Sequence, residues 1–113
     1  MNTQDTQYLQ DMVDTAVAAL EDVKAKDIVI IDTSGKTSLF ARMIVAGGDS
    51  TRQVKALANH VAVALKEKGY QLLGAEGEEA GEWALVDAGD LVVHVMLPAA
   101  RDFYDIEKLW GEG

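Results

Sequence analysis

Gly47-Gly48-Asp49-Ser50 is the stretch of this sequence best suited to holding an anion, because a strand, a glycine turn and a helix start present unpaired N–H groups and the positive end of a helix dipole. The chemistry it would serve is nucleotidyl transfer. Gly48 and Ser50 would meet the phosphates, and Asp32 on a neighbouring strand would help hold Mg²⁺. Several features weigh against that use. Asp49 puts a negative charge where the phosphate would go, these glycines are not followed by the Lys-Ser/Thr of a P-loop, and the third glycine of a dinucleotide fingerprint is missing. The Asp-x-Asp pair that such transferases use for metal occurs nowhere in the chain. The glycines therefore read first as a tight turn and a helix cap, with a nucleotide-binding enzyme as the rival class.

The remaining chemical groups are few. The chain has no cysteine, which excludes disulfides and Cys-based zinc sites and fits a reducing compartment. His60 precedes Val61 off the apolar stripe of a helical pattern and reads as exposed. His94 sits mid-strand among apolar neighbours, where an imidazole is more often a hydrogen-bonded structural group than a base. No metal or cofactor is expected.

The elements that must position these groups follow from periodicity. Leu9, Met12, Val13, Ala16, Val17 and Leu20 recur at helical spacing, predicting a first helix over about 6–24 with Asp5 or Thr6 as its cap. Ile28 to Ile31 reads as a buried strand, the turn residues Thr33, Ser34 and Gly35 follow, and Leu39 to Ala46 reads as a second, antiparallel strand. Ser50 and Gln53 have capping-box spacing before a second helix that buries Val54, Leu57, Ala58, Val61, Ala62 and Leu65 and stops at Gly69. Tyr70 to Ala75 reads as a third strand and Glu76 to Glu82 as an acidic loop. Trp83 to Val86 and Leu91 to Leu97 read as two strands joined by the hairpin turn Asp87-Ala88-Gly89-Asp90. On the last strand Leu91, Val93, Val95 and Leu97 should face one way, and Val92, His94 and Met96 the other. Pro98 should end that strand, and from Asp102 the spacing of Phe103, Ile106, Leu109 and Trp110 predicts a short helix. The order α-β-β-α-β-β-β-α implies an α/β fold, a mixed five-stranded sheet packed with helices.

Composition narrows the partners. The 113 residues are 49% apolar and 26% charged, proportions that fit one soluble globular domain over 1–113. No signal-peptide layout opens the chain and no apolar run approaches the roughly 20 residues of a membrane span, so the expectation is a cytoplasmic protein without a membrane. A net charge of −9 repels polyphosphate and argues against direct DNA binding. Residues 69 to 100 contain no Lys or Arg but hold Glu76, Glu78, Glu79, Glu82, Asp87 and Asp90. Such a face either solubilises the chain or steers it toward a basic protein. Trp83, Phe103, Tyr104 and Trp110 lie in the same half of the chain. Phe103 reads as core; Trp83, Tyr104 and Trp110 read either as core as well or, the favoured reading, as the aromatic anchors of a docking face with an acidic rim.

With these residues in view the sequence resembles the ribosomal silencing factor family, related to the plant Iojap protein. The matching segments are Asp27-Ile-Val-Ile-Ile-Asp32, Ser50-Thr-Arg-Gln-Val-Lys-Ala-Leu-Ala58, Glu76-Gly77, Gly81-Glu82-Trp83, Asp87, Gly89-Asp90-Leu-Val-Val-His-Val95, Arg101, Phe103-Tyr104 and Leu109-Trp110, in order over about residues 8 to 110. One departure is the segment Ala41-Arg-Met-Ile-Val45, where the family usually has Asp-Tyr-Phe-Val-Ile. The resemblance implies a sheet distantly similar to the nucleotidyltransferase fold without its catalytic residues. It implies binding to large-subunit ribosomal protein fourteen, at the face that meets the small subunit. Blocked subunit joining, lowered translation when nutrients are short, and a homodimer are implied as well. The resulting expectation is a non-enzyme that acts by occupying space. Its partner-binding residues are Glu76, Glu82, Trp83, Asp90, His94, Tyr104, Glu107, Leu109 and Trp110, with Glu78 and Glu79 adding to the acidic steering and Glu107 pairing with a partner cation.

Overall fold

The computed structural model describes residues 3–77 and 81–111, so Glu78 and Glu79 of the acidic loop lie outside the described residues. Its elements are α1 (Thr3–Asp22), β1 (Lys26–Asp32), β2 (Arg42–Gly47), α2 (Thr51–Glu67), β3 (Gly74–Gly77), β4 (Trp83–Asp87), β5 (Leu91–Met96), α3 (Pro98–Tyr104) and α4 (Ile106–Gly111). The five strands form one mixed sheet in the order β1-β2-β5-β4-β3. β1 and β2 are antiparallel, as are β3 with β4 and β4 with β5, while β5 lies parallel to β2. The chain thus leaves β2 through α2, reaches the far edge at β3, and returns by two hairpins to place β5 in the middle. A central strand must be apolar on both faces, and Leu91, Val92, Val93, Val95 and Met96 are all buried.

Both long helices lie on one face. The stripes Met12, Val13, Ala16 and Leu20 of α1 and Val54, Leu57, Val61 and Leu65 of α2 join Ile44, Val86, Leu91, Val93 and Val95 in the larger core cluster. Each helix ends in the same cap. Lys24 (φ 63) and Gly69 (φ 91) are left-handed. Ala25 N–H donates to Leu20 O at 2.9 Å and Tyr70 N–H to Leu65 O at 3.0 Å, which satisfies carbonyls the helices leave open. Ser50 caps α2 as its spacing predicts, its hydroxyl accepting from Gln53 N–H at 3.1 Å. The Gln53 side chain does more than close the box. Its Oε1 accepts from Asp49 N–H at 2.6 Å and its Nε2 donates to Val23 O at 3.0 Å, tying the start of α2 to the end of α1.

The larger boundary differences from the sequence expectation each have a local reason. α1 begins at Thr3, so Asp5 and Thr6 lie within the helix rather than at its cap. Apolar periodicity locates a buried stripe and says little about where a polar end begins. β2 starts at Arg42, because Ala41 and Arg42 N–H both hydrogen-bond Asp90 O, while Leu39 and Phe40 belong to the preceding loop. β3 starts at Gly74, because Tyr70 and Leu72 are drawn to the helix side. There the Tyr70 ring meets Tyr8 edge-on at 5.0 Å, and its hydroxyl donates to Asp11. Finally, Pro98 opens a helix at a position where its missing N–H is harmless. The tail is two short helices, broken at Asp105, which takes the left-handed conformation (φ 48).

The second face of the sheet is only partly covered. Ile106 of α4 packs with Ile31, Met43, Val45 and Met96, and Trp110 and Phe40 pack against them. This cluster lies over the β1–β2 side. The β4 and β3 side of that face is more open, with Tyr104 of α3 meeting Trp83 at its end.

Candidate functional site

The open face follows from strand register. Trp83 pairs with Met96, Leu85 with His94 and Asp87 with Val92, so these side chains share a face with Met43 and Val45 of β2. β1, β2, β4 and β5 carry apolar groups there, and the short tail helices cover them only in part. What remains is a groove of about 610 Å³. Trp83, Leu85, Val92, His94 and Met43 form its floor. Leu39, Phe40, Ile106, Leu109 and Trp110 stand on one side, and Leu73, Asp87 and Gly89 on the other. Leu39, Leu73 and Leu109 are 80%, 67% and 72% exposed, a cost in water that an isolated surface leucine does not raise but a contiguous set does.

The aromatic groups are arranged around Trp83. Its indole N–H donates to His94 Nδ1 at 2.9 Å, so the polar end is satisfied internally and the ring is left as apolar surface. Because the indole can only donate, Nδ1 must be the acceptor and His94 carries its proton on Nε2. Burial holds the His94 pKa down at about 4. Trp83 also meets the Tyr104 ring at 4.8 Å. Tyr104 in turn lines a smaller hollow of about 320 Å³ with Glu82, Leu97, Ala99, Ala100 and Phe103. Phe103, expected in the core, is 80% exposed. The early start of α3 at Pro98 shifts the helix phase and turns Phe103 outward, edge-on to Tyr104 at 5.0 Å.

The acidic groups gather on one side of this surface. Glu76 lies opposite Leu85 in the β3–β4 register, so its exposed side chain is on the groove face at the sheet edge. Asp87 lines the groove and accepts from Gly89 N–H at 2.9 Å, and the exposed Asp90 follows in the same turn. Glu82 borders the smaller hollow. Gly81 (φ 73) holds the end of the acidic loop close against α2, where a Cβ would fall 2.8 Å from Thr51 Cβ.

The sequence-predicted set therefore divides. Trp83, His94, Leu109 and Trp110 line the groove, Tyr104 adjoins it, and Glu76, Asp90 and Glu82 border it. Glu107 stands apart. Its two oxygens take Arg101 Nε at 2.6 Å and Nη2 at 3.2 Å, so its first partner is this chain's own cation. Leu39, Phe40, Leu73, Leu85 and Val92 were not singled out in the sequence. The signal for them is that β4 and β5 are apolar on both faces although the chain offers long helices for one.

The rival chemistry finds no such convergence. Asp32 pairs with Arg42 at one end of the β1–β2 ladder, while Gly47 pairs with Lys26 at the other. Six residues of strand, roughly 20 Å, separate Asp32 from the Gly48 turn. Asp32 holds Ser34 and Arg42 instead, and the Ser34 hydroxyl and N–H, followed by Arg42, lower its pKa. Gly48 is explained by packing, since a Cβ there would lie 3.0 Å from Val54 Cγ2. Asp49 forms an ion pair with Lys26 at 2.9 Å. Gly35-Lys36-Thr37 is a turn with no helix behind it, so it is no phosphate loop either. Among the described residues no three His, Asp or Glu side chains form a group that could hold a metal.

Comparison with known proteins identifies the family. Residues 6–113 match the family model described as "Ribosomal silencing factor during starvation". The chain belongs to the ribosomal silencing factor family. Within it, a ribosomal silencing factor of Chromobacterium violaceum is 67% identical over 103 residues, covering 91% of this chain and 84% of that one. The chloroplastic Iojap protein of Arabidopsis thaliana is 32% identical over 107 residues, covering 95% of this chain and 44% of that one. A crystal structure of a Chromobacterium violaceum protein superposes with a TM-score of 0.87 at 67% identity, covering 89% of this chain and 84% of that one. The silencing-factor chain also keeps a regular β2 where its sequence departs from the expected family pattern: Met43, Ile44 and Val45 are buried, and Arg42 pairs with Asp32 at 2.9 Å.

Proposed function

We propose that this protein is a translational repressor that docks on the large ribosomal subunit and blocks joining of the small subunit by occupying the space between them. The observation that supports it most is the uncovered sheet face: an apolar groove with Trp83 on its floor and carboxylates along one side. Large-subunit ribosomal protein fourteen is the proposed partner, as the family likeness implies. Glu76, Glu82, Asp87 and Asp90 steer a basic protein toward the groove, and Trp83, Leu109 and Trp110 supply the contact that holds it.

The mechanism is steric. A body of 40 × 33 × 21 Å seated on the intersubunit side excludes whatever must pack there. No bond forms or breaks, so the role needs no nucleophile, base or cofactor, and the protein acts in the cytoplasm as a non-enzyme and as the homodimer the family likeness implies. Sedimentation of separated subunits tests the reading. Added protein is expected to co-migrate with the large subunit and to reduce the joined particles. Unchanged joining at saturating protein would refute it.

A further inference from the structure

Arg101 takes no part in the groove, yet its side chain is only 12% exposed. It lines a separate polar hollow of about 460 Å³ with Lys26, Gly47 and Asp49. One guanidinium joins three elements there. From α3 it reaches Glu107 of α4 through two parallel bonds, Nε–Oε1 at 2.6 Å and Nη2–Oε2 at 3.2 Å. It also reaches the edge strand β1, where Nη2 donates to Asp27 O at 2.6 Å and Nη1 to Lys26 O at 3.5 Å. Those carbonyls are offered where the β1–β2 register slips between Lys26 and Val29 and Asp27 turns left-handed (φ 49).

α4 needs such a hold. Six residues are too few for a helix to persist alone. A left-handed Asp105 at its start sets its direction only loosely. Its own anchors are Ile106, 8% exposed, and the Trp110 ring against Phe40 at 5.3 Å, with Lys36 Nζ donating to Trp110 O at the far end. We infer that Arg101 is the positioning residue of the docking face: by clamping Glu107 to β1 it fixes α4 at the height where Leu109 and Trp110 form one wall of the groove. The inference rests on the docking reading above. It gives Glu107 a role through α4 in place of a direct contact with a partner, and it asks for Arg rather than Lys, since one ammonium cannot make two parallel carboxylate bonds and reach two carbonyls as well.

A double-mutant cycle separates positioning from general support. Affinity for isolated large subunits is measured for Arg101→Met and Glu107→Gln, each in the wild-type and in the Leu109→Ala/Trp110→Ala background, with the folded fraction followed by urea titration. Positioning predicts that each clamp variant weakens binding about 10-fold in the wild-type background and less than about 2-fold once the wall is gone. Glu107→Gln keeps the carbonyl bonds and carries the test if Arg101→Met does not fold. Equal losses in both backgrounds, or no loss in the wild-type background, would overturn the inference while leaving the docking reading standing. If the Leu109→Ala/Trp110→Ala protein itself binds as wild type, the wall is not part of the docking face, and both fall.

Discussion

Truncating Trp83 to alanine is expected to weaken binding to the large subunit by about 30-fold or more, some 2 kcal/mol, the scale of a central aromatic anchor. The argument is positional. Trp83 lies on the groove floor and touches Tyr104 of the adjoining hollow, so its ring joins the two apolar surfaces. Its N–H is already satisfied by His94, so a partner has only apolar area to cover and no buried donor to pair. Trp83 is also half-buried against the smaller core cluster, and its loss will lower stability as well. Leu109→Ala separates the two effects. That side chain is 72% exposed, so affinity should fall while stability stays within about 0.5 kcal/mol of wild type. Two folded variants that bind as tightly as the parent would remove the groove from the mechanism.

Stability should also fall as pH drops from about 7.5 to 5, and His94 is the cause. Its folded-state pKa is held at about 4 by burial, against an ordinary value near 6.5. Between those values the unfolded chain binds a proton that the folded chain refuses. The unfolded state is therefore favoured as pH falls through 6.5, and the loss is complete below 4. Linkage puts the change from pH 7.5 to 5 at about 2 kcal/mol. The structural reason is specific: a proton on Nδ1 would face the Trp83 N–H and break the bond that sets the ring on the groove floor. Carboxylates with lowered pKa, such as Asp11, which takes the Tyr70 hydroxyl bond and Lys68, contribute only at lower pH. Urea midpoints measured across this range should show the slope in the wild type and a flat response in His94→Gln. A slope that survives the substitution would assign the effect elsewhere.

Much of the fold was legible because it is local. The stripes of α1 and α2, the Ser50 cap, the Gly69 stop and the Asp87–Asp90 turn each depend on residues a few positions apart, and each stands where its spacing puts it. What was not legible depends on residues far apart in the chain. Tyr70 looks like a strand residue until Tyr8 and Asp11 claim it. Phe103 looks like core until Pro98 starts a helix that turns it to solvent. Glu107 looks like a free carboxylate until Arg101 is folded against it. The proposed docking face was read from its aromatic and acidic members, because those types are rare and informative singly. Its leucines were missed, because Leu39 and Leu73 are ordinary core residues in sequence and become a surface only when the second sheet face is found without a full helix layer.

The central claim is that the groove face, and not the helix face, meets the large subunit. A photo-crosslinking amino acid placed at Leu109 and, separately, at Val63 of α2 tests it directly, since both side chains are exposed and lie on opposite faces of the sheet. The expected result is a covalent adduct with a basic large-subunit protein from position 109 and none from position 63. An adduct from position 63 alone would mean that the molecule docks through its helices, and the groove would need another explanation.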